Sequence, residues 1–357
     1  MSEQGETPAA MAEAAKVDYS LSGGLVARLA QLGVALAFTS YQSGLLYCLG
    51  RDAKGAHLHQ AGFVKPMGLA LDANGDLALS AGFQIIRLRN VLAADQRVNQ
   101  VFDACYVART IHMTGELDAH DLGIDADDRP VFVNTRYNCL ATVSGRHSFE
   151  PLWRPPFVSA LVDEDRCHLN GLAMREGRPA YVTAVSRSDT IDGWRDRRAA
   201  GGVVVEVESG RVVCEGLSMP HSPRLHRGQL WLLNSGTGEL GVVDPEAGRF
   251  QPRAFCPGFL RGLAFHGDLA FVGLSKPRYK RFEGLALDQR LRERDSEPWC
   301  GIQVIDLTSG ACVDWFRIDG AVGEIYDLAV LPGVTCAMTV PPGSAEGARL
   351  ITVAPES

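Results

Sequence analysis

A short phrase recurs six times along the chain, and it limits the fold more than any other feature. Its fullest form is His168-Leu169-Asn170-Gly171-Leu172-Ala173, then a polar turn, then the apolar run Pro179-Ala180-Tyr181-Val182-Thr183. The other copies begin at Lys65, His120, His221, Phe259 and Glu324, and each is followed by a turn and a second short apolar run. A unit of short strands and turns recurring every ~40–65 residues predicts an all-β protein, a β-propeller with one blade per copy. The first residue of each copy then sits at an equivalent place near the central axis. Three histidines from consecutive blades, His120, His168 and His221, point at one spot, with the carboxylate of Glu324 two repeats on.

The blade count depends on the two ends. Leu25–Leu32 has helix-like apolar spacing, yet it aligns without gaps to Phe259–His266. Taken as a strand it completes a first blade and gives seven, the expected number. Six follows if the N-terminal strands complete the last repeat instead. The last repeat offers Ile325–Val330, Cys336–Val340 and Arg349–Val353, and Val17–Ser20 is expected to add a fourth strand and close the ring. Closure removes the unpaired edges of an open sheet. Residues 1–14 read as a disordered tail and 15–357 as a single domain.

Composition narrows the partners. A net charge of −7 without a basic block argues against nucleic acid and against an anionic membrane surface. No apolar run approaches the ~20 residues that span a bilayer. Met1–Lys16 lacks the basic start and apolar core of a secretory signal. Nine cysteines lie singly with no CxxC, which fits reduced packing thiols in a cytoplasmic protein. Nothing in the sequence fixes the oligomeric state.

Two connections are long, 186–201 and 275–301, and both join second and third strands. Such loops emerge on the face that carries the histidines, so they read as lids or binding loops. Gly284–Arg294 has the pattern of a short helix within the second.

Three imidazoles with an open fourth position suit a catalytic metal, zinc first, with copper or iron as the redox alternative. A carboxylate among Glu116, Asp118 and Asp121 would fix the tautomer of His120. Glu324 would be a fourth ligand or a base, and Tyr326 or Tyr137 would handle a proton. Arg261 and Arg224 would hold an anionic group. Lys65, Arg136, Asn170, Trp194 and Tyr279 complete the expected substrate contacts. The leading expectation is a metal-dependent lyase or hydrolase acting on a small anionic or peptide-like substrate. A copper or iron oxidoreductase and a binding propeller without chemistry are the alternatives. No nucleophile elbow, phosphate loop or calcium loop is present in the sequence.

The stretch Ala35–Leu77, with the segments HDLGID, HLNGLAM and Pro-His-Ser-Pro-Arg, resembles an uncharacterised bacterial propeller family over nearly the whole chain. The Gly-Leu-Ala strands are remotely similar to those of NHL and gluconolactonase-like propellers. These resemblances imply the fold. The three-histidine ring is similar in kind to the zinc site of peptidyl-hydroxyglycine lyase. It departs from four-histidine iron oxygenases, because Phe259 stands where another ligand would be.

Overall fold

The computed structural model describes residues 17–278 and 281–354; the expected tail at 1–14 lies outside them. Six antiparallel four-stranded cores are arranged as the blades of a propeller. Blade 2 begins with Pro66–Leu71, blade 3 with Ala119–Ile124, blade 4 with Leu169–Arg175, blade 5 with Pro220–His226 and blade 6 with Phe259–His266. Blade 1 is composite. Its inner strand is Leu328–Pro332 from the far end of the chain, paired antiparallel with Val34–Ser40, followed by Leu45–Asp52 and Gly55–Gly62.

Six blades, not seven, is therefore the count, and the N-terminal strands do complete the last repeat. Leu25–Leu32 is a helix. Leu25 and Leu29 are one turn apart and bury on the core, and Gly33 ends the helix in the left-handed conformation (φ 65°). A strand would have pointed these two leucines to the same face only by leaving the alternate residues, Val26 and Ala30, in the opposite layer. The other terminal strands also differ from expectation. Tyr19–Leu21 pairs with Cys312–Ile318 as a fifth strand of blade 6. Ala337–Val340 runs parallel to Ala104–Met113 as a fifth strand of blade 2. Arg349–Val353 forms no strand. Each addition covers an outer edge that would otherwise offer unpaired backbone groups.

Blades pack face to face, so their strands bury both sides. In Val34–Ser40, Val34, Leu36 and Phe38 enter one apolar cluster, while Ala35 and Ala37 enter the next. Neighbouring blades are also stitched by hydroxyls at the ends of second strands. Thr39 donates to Met67 O, Ser80 to Ala119 O, Thr135 to Leu169 O, Ser235 to Leu260 O and Ser275 to Ile325 O. In each case the acceptor lies on the inner strand, or its approach, in the following blade. Eight of the nine thiols are buried and none is in a disulfide, as expected of packing residues.

Candidate active site

A cavity of about 930 Å³ opens at the axis, on the face where the inner strands begin. Its wall takes in Lys65, His120, His168, Phe259 and Glu324, five of the six residues that begin the copies, and both long loops reach it. Trp194 comes from the first loop, and Lys276, Arg278 and Phe282 come from the second. The helix expected in that loop forms over Ala286–Glu293, anchored by buried Leu287 and Leu291.

The imidazoles are fixed from behind. Asp118 and Met219 adopt positive φ (53° and 49°), and the carbonyl of each accepts from Nδ1 of the histidine two residues on. His120 is 2.7 Å from Asp118 O, and His221 is 2.8 Å from Met219 O. Thr135 and Ser235, the stitching hydroxyls, stand 2.8 and 3.2 Å from the same ring nitrogens. His168 differs. Its Nδ1 lies 2.6 Å from Asp165 Oδ2, its backbone N–H donates to Asp165 Oδ1, and its ring stacks on Trp194 at 4.1 Å. A carboxylate accepts only, so Nδ1 carries the proton and Nε2 keeps its lone pair.

The rings of His120 and His168 meet edge to face at 4.9 Å, with Tyr326 at 5.8 Å from His120. Burial, with His168 and then Arg261 adding to it, pushes His120 down to about 4. Burial likewise holds His221 well below its usual value. Both are therefore neutral at neutral pH.

Beside the histidines lie Arg261, Glu324 and Tyr326. The Arg261 guanidinium sits over the rings of Phe259 and Tyr326, at 5.1 and 5.0 Å, with no carboxylate partner among the described residues. Glu324 Oε2 accepts from Ser40 Oγ and Gln42 N–H, both at 3.1 Å. Burial raises the Glu324 carboxyl despite Arg261 nearby, and it raises the Tyr326 phenol well above its usual range. Arg261 Nε, Glu324 Oε1, Tyr326 OH and Trp194 Nε1 are buried polar atoms without a hydrogen-bond partner among the described residues. Buried polar atoms are normally satisfied, so four orphans in one cavity wall mark a place for water or ligand.

Other expected site residues lie elsewhere. His221 is absent from the wall. Its ring faces Phe259 at 5.5 Å, and Asn170 Nδ2 lies 3.5 Å from its Nε2. Asn170 is itself buried and accepts from Thr183 Oγ1 at 2.7 Å. Arg224 lies deeper along the axis. It meets Asp121 with two nitrogens, at 2.8 and 3.1 Å, and approaches Asp327 at 3.5 Å, so its charge is already matched. These three groups come from alternate blades and plug the channel. Arg136 pairs with Asp163 at the surface, and Tyr137 packs on Phe149 at 5.1 Å. Tyr279 lies outside the described residues. The carboxylates expected behind His120 are not there: Asp121 serves Arg224, Glu116 is exposed, and Asp118 acts through its carbonyl while its side chain pairs with Lys65 at 2.8 Å.

Among the described residues, no three histidine, cysteine or acidic side chains stand close enough to share one metal ion. The always-charged Arg261 near His120 and His221 further disfavours a cation there. As arranged, the residues do not fit the expected three-histidine metal centre.

Asp165 is the main residue the sequence reading missed. It is three residues before His168 and off the repeat, so only the folded turn shows its role. Its carbonyl also accepts from Asp192 N–H at 2.9 Å, tying the first long loop to the His168 turn.

Residues 23–340 match the family described as a domain of unknown function, DUF4915. The chain belongs to that family. No curated protein matches this DUF4915 chain. Among solved structures, a chain of the nidogen/laminin complex aligns with a TM-score of 0.53 and 12% identity, over 84% of this chain and 99% of that one. That likeness supports the fold alone. Virginiamycin B lyase from Staphylococcus aureus aligns with a TM-score of 0.41 and 9% identity, over 85% of this chain and 100% of that one. No helix among the described residues is long and apolar enough to cross a membrane.

Proposed function

We propose that the axial cavity is the active site of an acid–base enzyme, a lyase or hydrolase acting on a small anionic substrate. The observation that carries this reading is the set of unpartnered buried atoms on Arg261, Glu324 and Tyr326, beside an aspartate-held imidazole. Arg261 binds the anionic group, which supplies the partner its guanidinium lacks. His168 is the base: Asp165 holds Nδ1–H and stabilises the imidazolium that forms when Nε2 takes a proton. Glu324, whose raised carboxyl favours the protonated form, is the acid, and Tyr326 donates a hydrogen bond to the departing group. In the lyase form, Nε2 of His168 removes a proton beside the anionic group. The electron pair left behind forms the new double bond, and the leaving group departs with the proton of Glu324.

Metabolite extracts incubated with the protein and followed by mass spectrometry test this. At least one anionic metabolite should be consumed, and His168→Gln should slow its loss about 10²–10⁴-fold. Consumption that is unchanged in His168→Gln, or no consumption at all, overturns the reading.

One observation favours a second reading, metal-assisted chemistry. All three histidines engage a partner through Nδ1, and His120 and His168 thereby leave Nε2 as the nitrogen for a ligand, the arrangement that hydrogen-bonding partners impose on metal-bound imidazole, while Nε2 of His221 lies 3.5 Å from Asn170 Nδ2. It requires the three rings to close on one point, away from the packing of His221 against Phe259. Near-stoichiometric zinc, copper or iron in purified protein, lost in His168→Ala, would move the proposal to this reading. A visible or paramagnetic signal would then select the redox form.

A further inference from the structure

The cations of the cavity are distributed unevenly, and the distribution defines a ligand. The chain as a whole carries −7, yet its cavity wall holds seven Lys and Arg side chains and only four carboxylates. Most of the carboxylates are committed. Asp118 pairs with Lys65, Glu283 with Arg281, and Asp165 with His168. Arg198, Arg261, Lys276 and Arg278 have no ion-pair partner among the described residues. These four lie at two levels. Arg261 is buried on the inner strand of blade 6, with only 8% of its surface exposed. Arg198 stands on the long loop of blade 4, and Lys276 and Arg278 on that of blade 6, so the two loops flank blade 5 and line the same mouth.

Between the two levels the wall is aromatic. Trp194 lies flat on His168, Phe259 and Phe282 stack at 6.2 Å, and Tyr41 meets Tyr326 edge to face at 5.5 Å beneath Arg278. A single small anion would satisfy Arg261 and leave the mouth cations and this apolar belt without contacts.

We infer that the ligand is an elongated dianion: one anionic end on Arg261, an apolar or aromatic body along the belt, and a second anionic end at the mouth between Arg198, Lys276 and Arg278. The second end is a carboxylate or a phosphate-like group, since cations from two loops that line one mouth recognise either. The cationic mouth of an anionic protein also draws such a ligand in from solution. This inference rests on the reading of Arg261 as the anion anchor.

The test is a calorimetric titration series: α,ω-dicarboxylates from succinate to sebacate, the monocarboxylates from butyrate to decanoate, and ω-phosphonocarboxylates of matching length. Two-point binding predicts an affinity maximum at one chain length, where the dicarboxylate binds about tenfold or more tightly than its monocarboxylate. Lys276→Ala/Arg278→Ala should reduce that dicarboxylate to monocarboxylate affinity and leave the monocarboxylate unchanged. Arg261→Gln should weaken both. A phosphonate that outbinds the carboxylate of equal length assigns a phosphate-like outer end; the reverse assigns a carboxylate. Equal binding of mono- and dicarboxylates at every length, with Arg261→Gln still weakening both, overturns the second anionic end and leaves the anchor standing. Failure of all three series to bind, or indifference to Arg261→Gln, overturns the anchor itself.

Discussion

Arg224 and Asp121 sit within the inner strands of blades 5 and 3, Asp327 immediately precedes that of blade 1, and their charges meet across the axis. Both carboxylates also accept backbone N–H groups: Asp121 from Leu122 and Leu172, Asp327 from Leu69 and Leu328. The plug therefore ties several inner strands together. Removing the cation leaves two buried carboxylates facing each other, so Arg224→Ala should cost about 3 kcal/mol in urea unfolding. His120 gives a second prediction. Its folded value of about 4 lies below the usual 6.5. As pH falls below 6.5 the unfolded chain takes a proton the folded one refuses, so stability drops until the pH reaches about 4. Between pH 7 and pH 4, His120→Gln should lose about 3 kcal/mol less than the unaltered protein, measured by urea unfolding across that range. The histidine positions were legible in the sequence because the repeat set their register. Their hydrogen-bond partners were not. A positive φ at Asp118 and Met219 turns a carbonyl toward each ring, and no residue type at those positions announces that turn.

The recurring phrase carries its glycine for a reason that appears only between elements. A Cβ on Gly171 would fall 2.3 Å from Thr183 Oγ1 and 2.4 Å from Pro223 Cδ, on the next blade's inner strand. At Gly262 it would fall 2.9 Å from Asp327 Cα and from Leu328 N, and φ there is 75°. At Gly262 the inner strands converge until backbone meets backbone, and at Gly171 the side chains of Thr183 and Pro223 already fill the space a Cβ would need, so glycine fits at both. Gly262→Ala should therefore destabilise by about 2–4 kcal/mol in urea unfolding, through both the clash and the positive φ. The loops show the same division. Their length and placement after second strands were enough to predict which face they cover. That Trp194 would stack on His168, and that the 186–201 loop would hydrogen-bond to the Asp165 turn, depended on how the loop folds back.

Closure is a property of the whole molecule. Leu328–Pro332 lies about 290 residues along the chain from its partner Val34–Ser40, and the two fasten the ring through five paired positions. Blade 1 is built from both ends of the chain, so its loss should be felt everywhere. Deleting residues 324–357 removes this strand, Glu324, Tyr326 and Asp327 together. The shortened chain should give a broad, non-cooperative urea transition and self-associate in size-exclusion chromatography, because blade 1 then presents an open inner edge. A sharp transition from a monomeric shortened chain would show that the seam does not hold the ring.

The sequence by itself determined the all-β repeat, the face that both long loops cover, and the residues that begin the copies, because strand periodicity and turn spacing are local. It left Leu25–Leu32 open between helix and strand, and with it the blade number, since eight residues of apolar spacing satisfy either. Only the tertiary structure decided that choice, by filling the inner position of blade 1 with the chain's far end. It also decided which basic groups face the cavity: Arg224 found two carboxylates deeper along the axis, and Arg261 found none among the described residues. Charge pairing across the axis joins residues about a hundred positions apart, and no pattern along the chain records it.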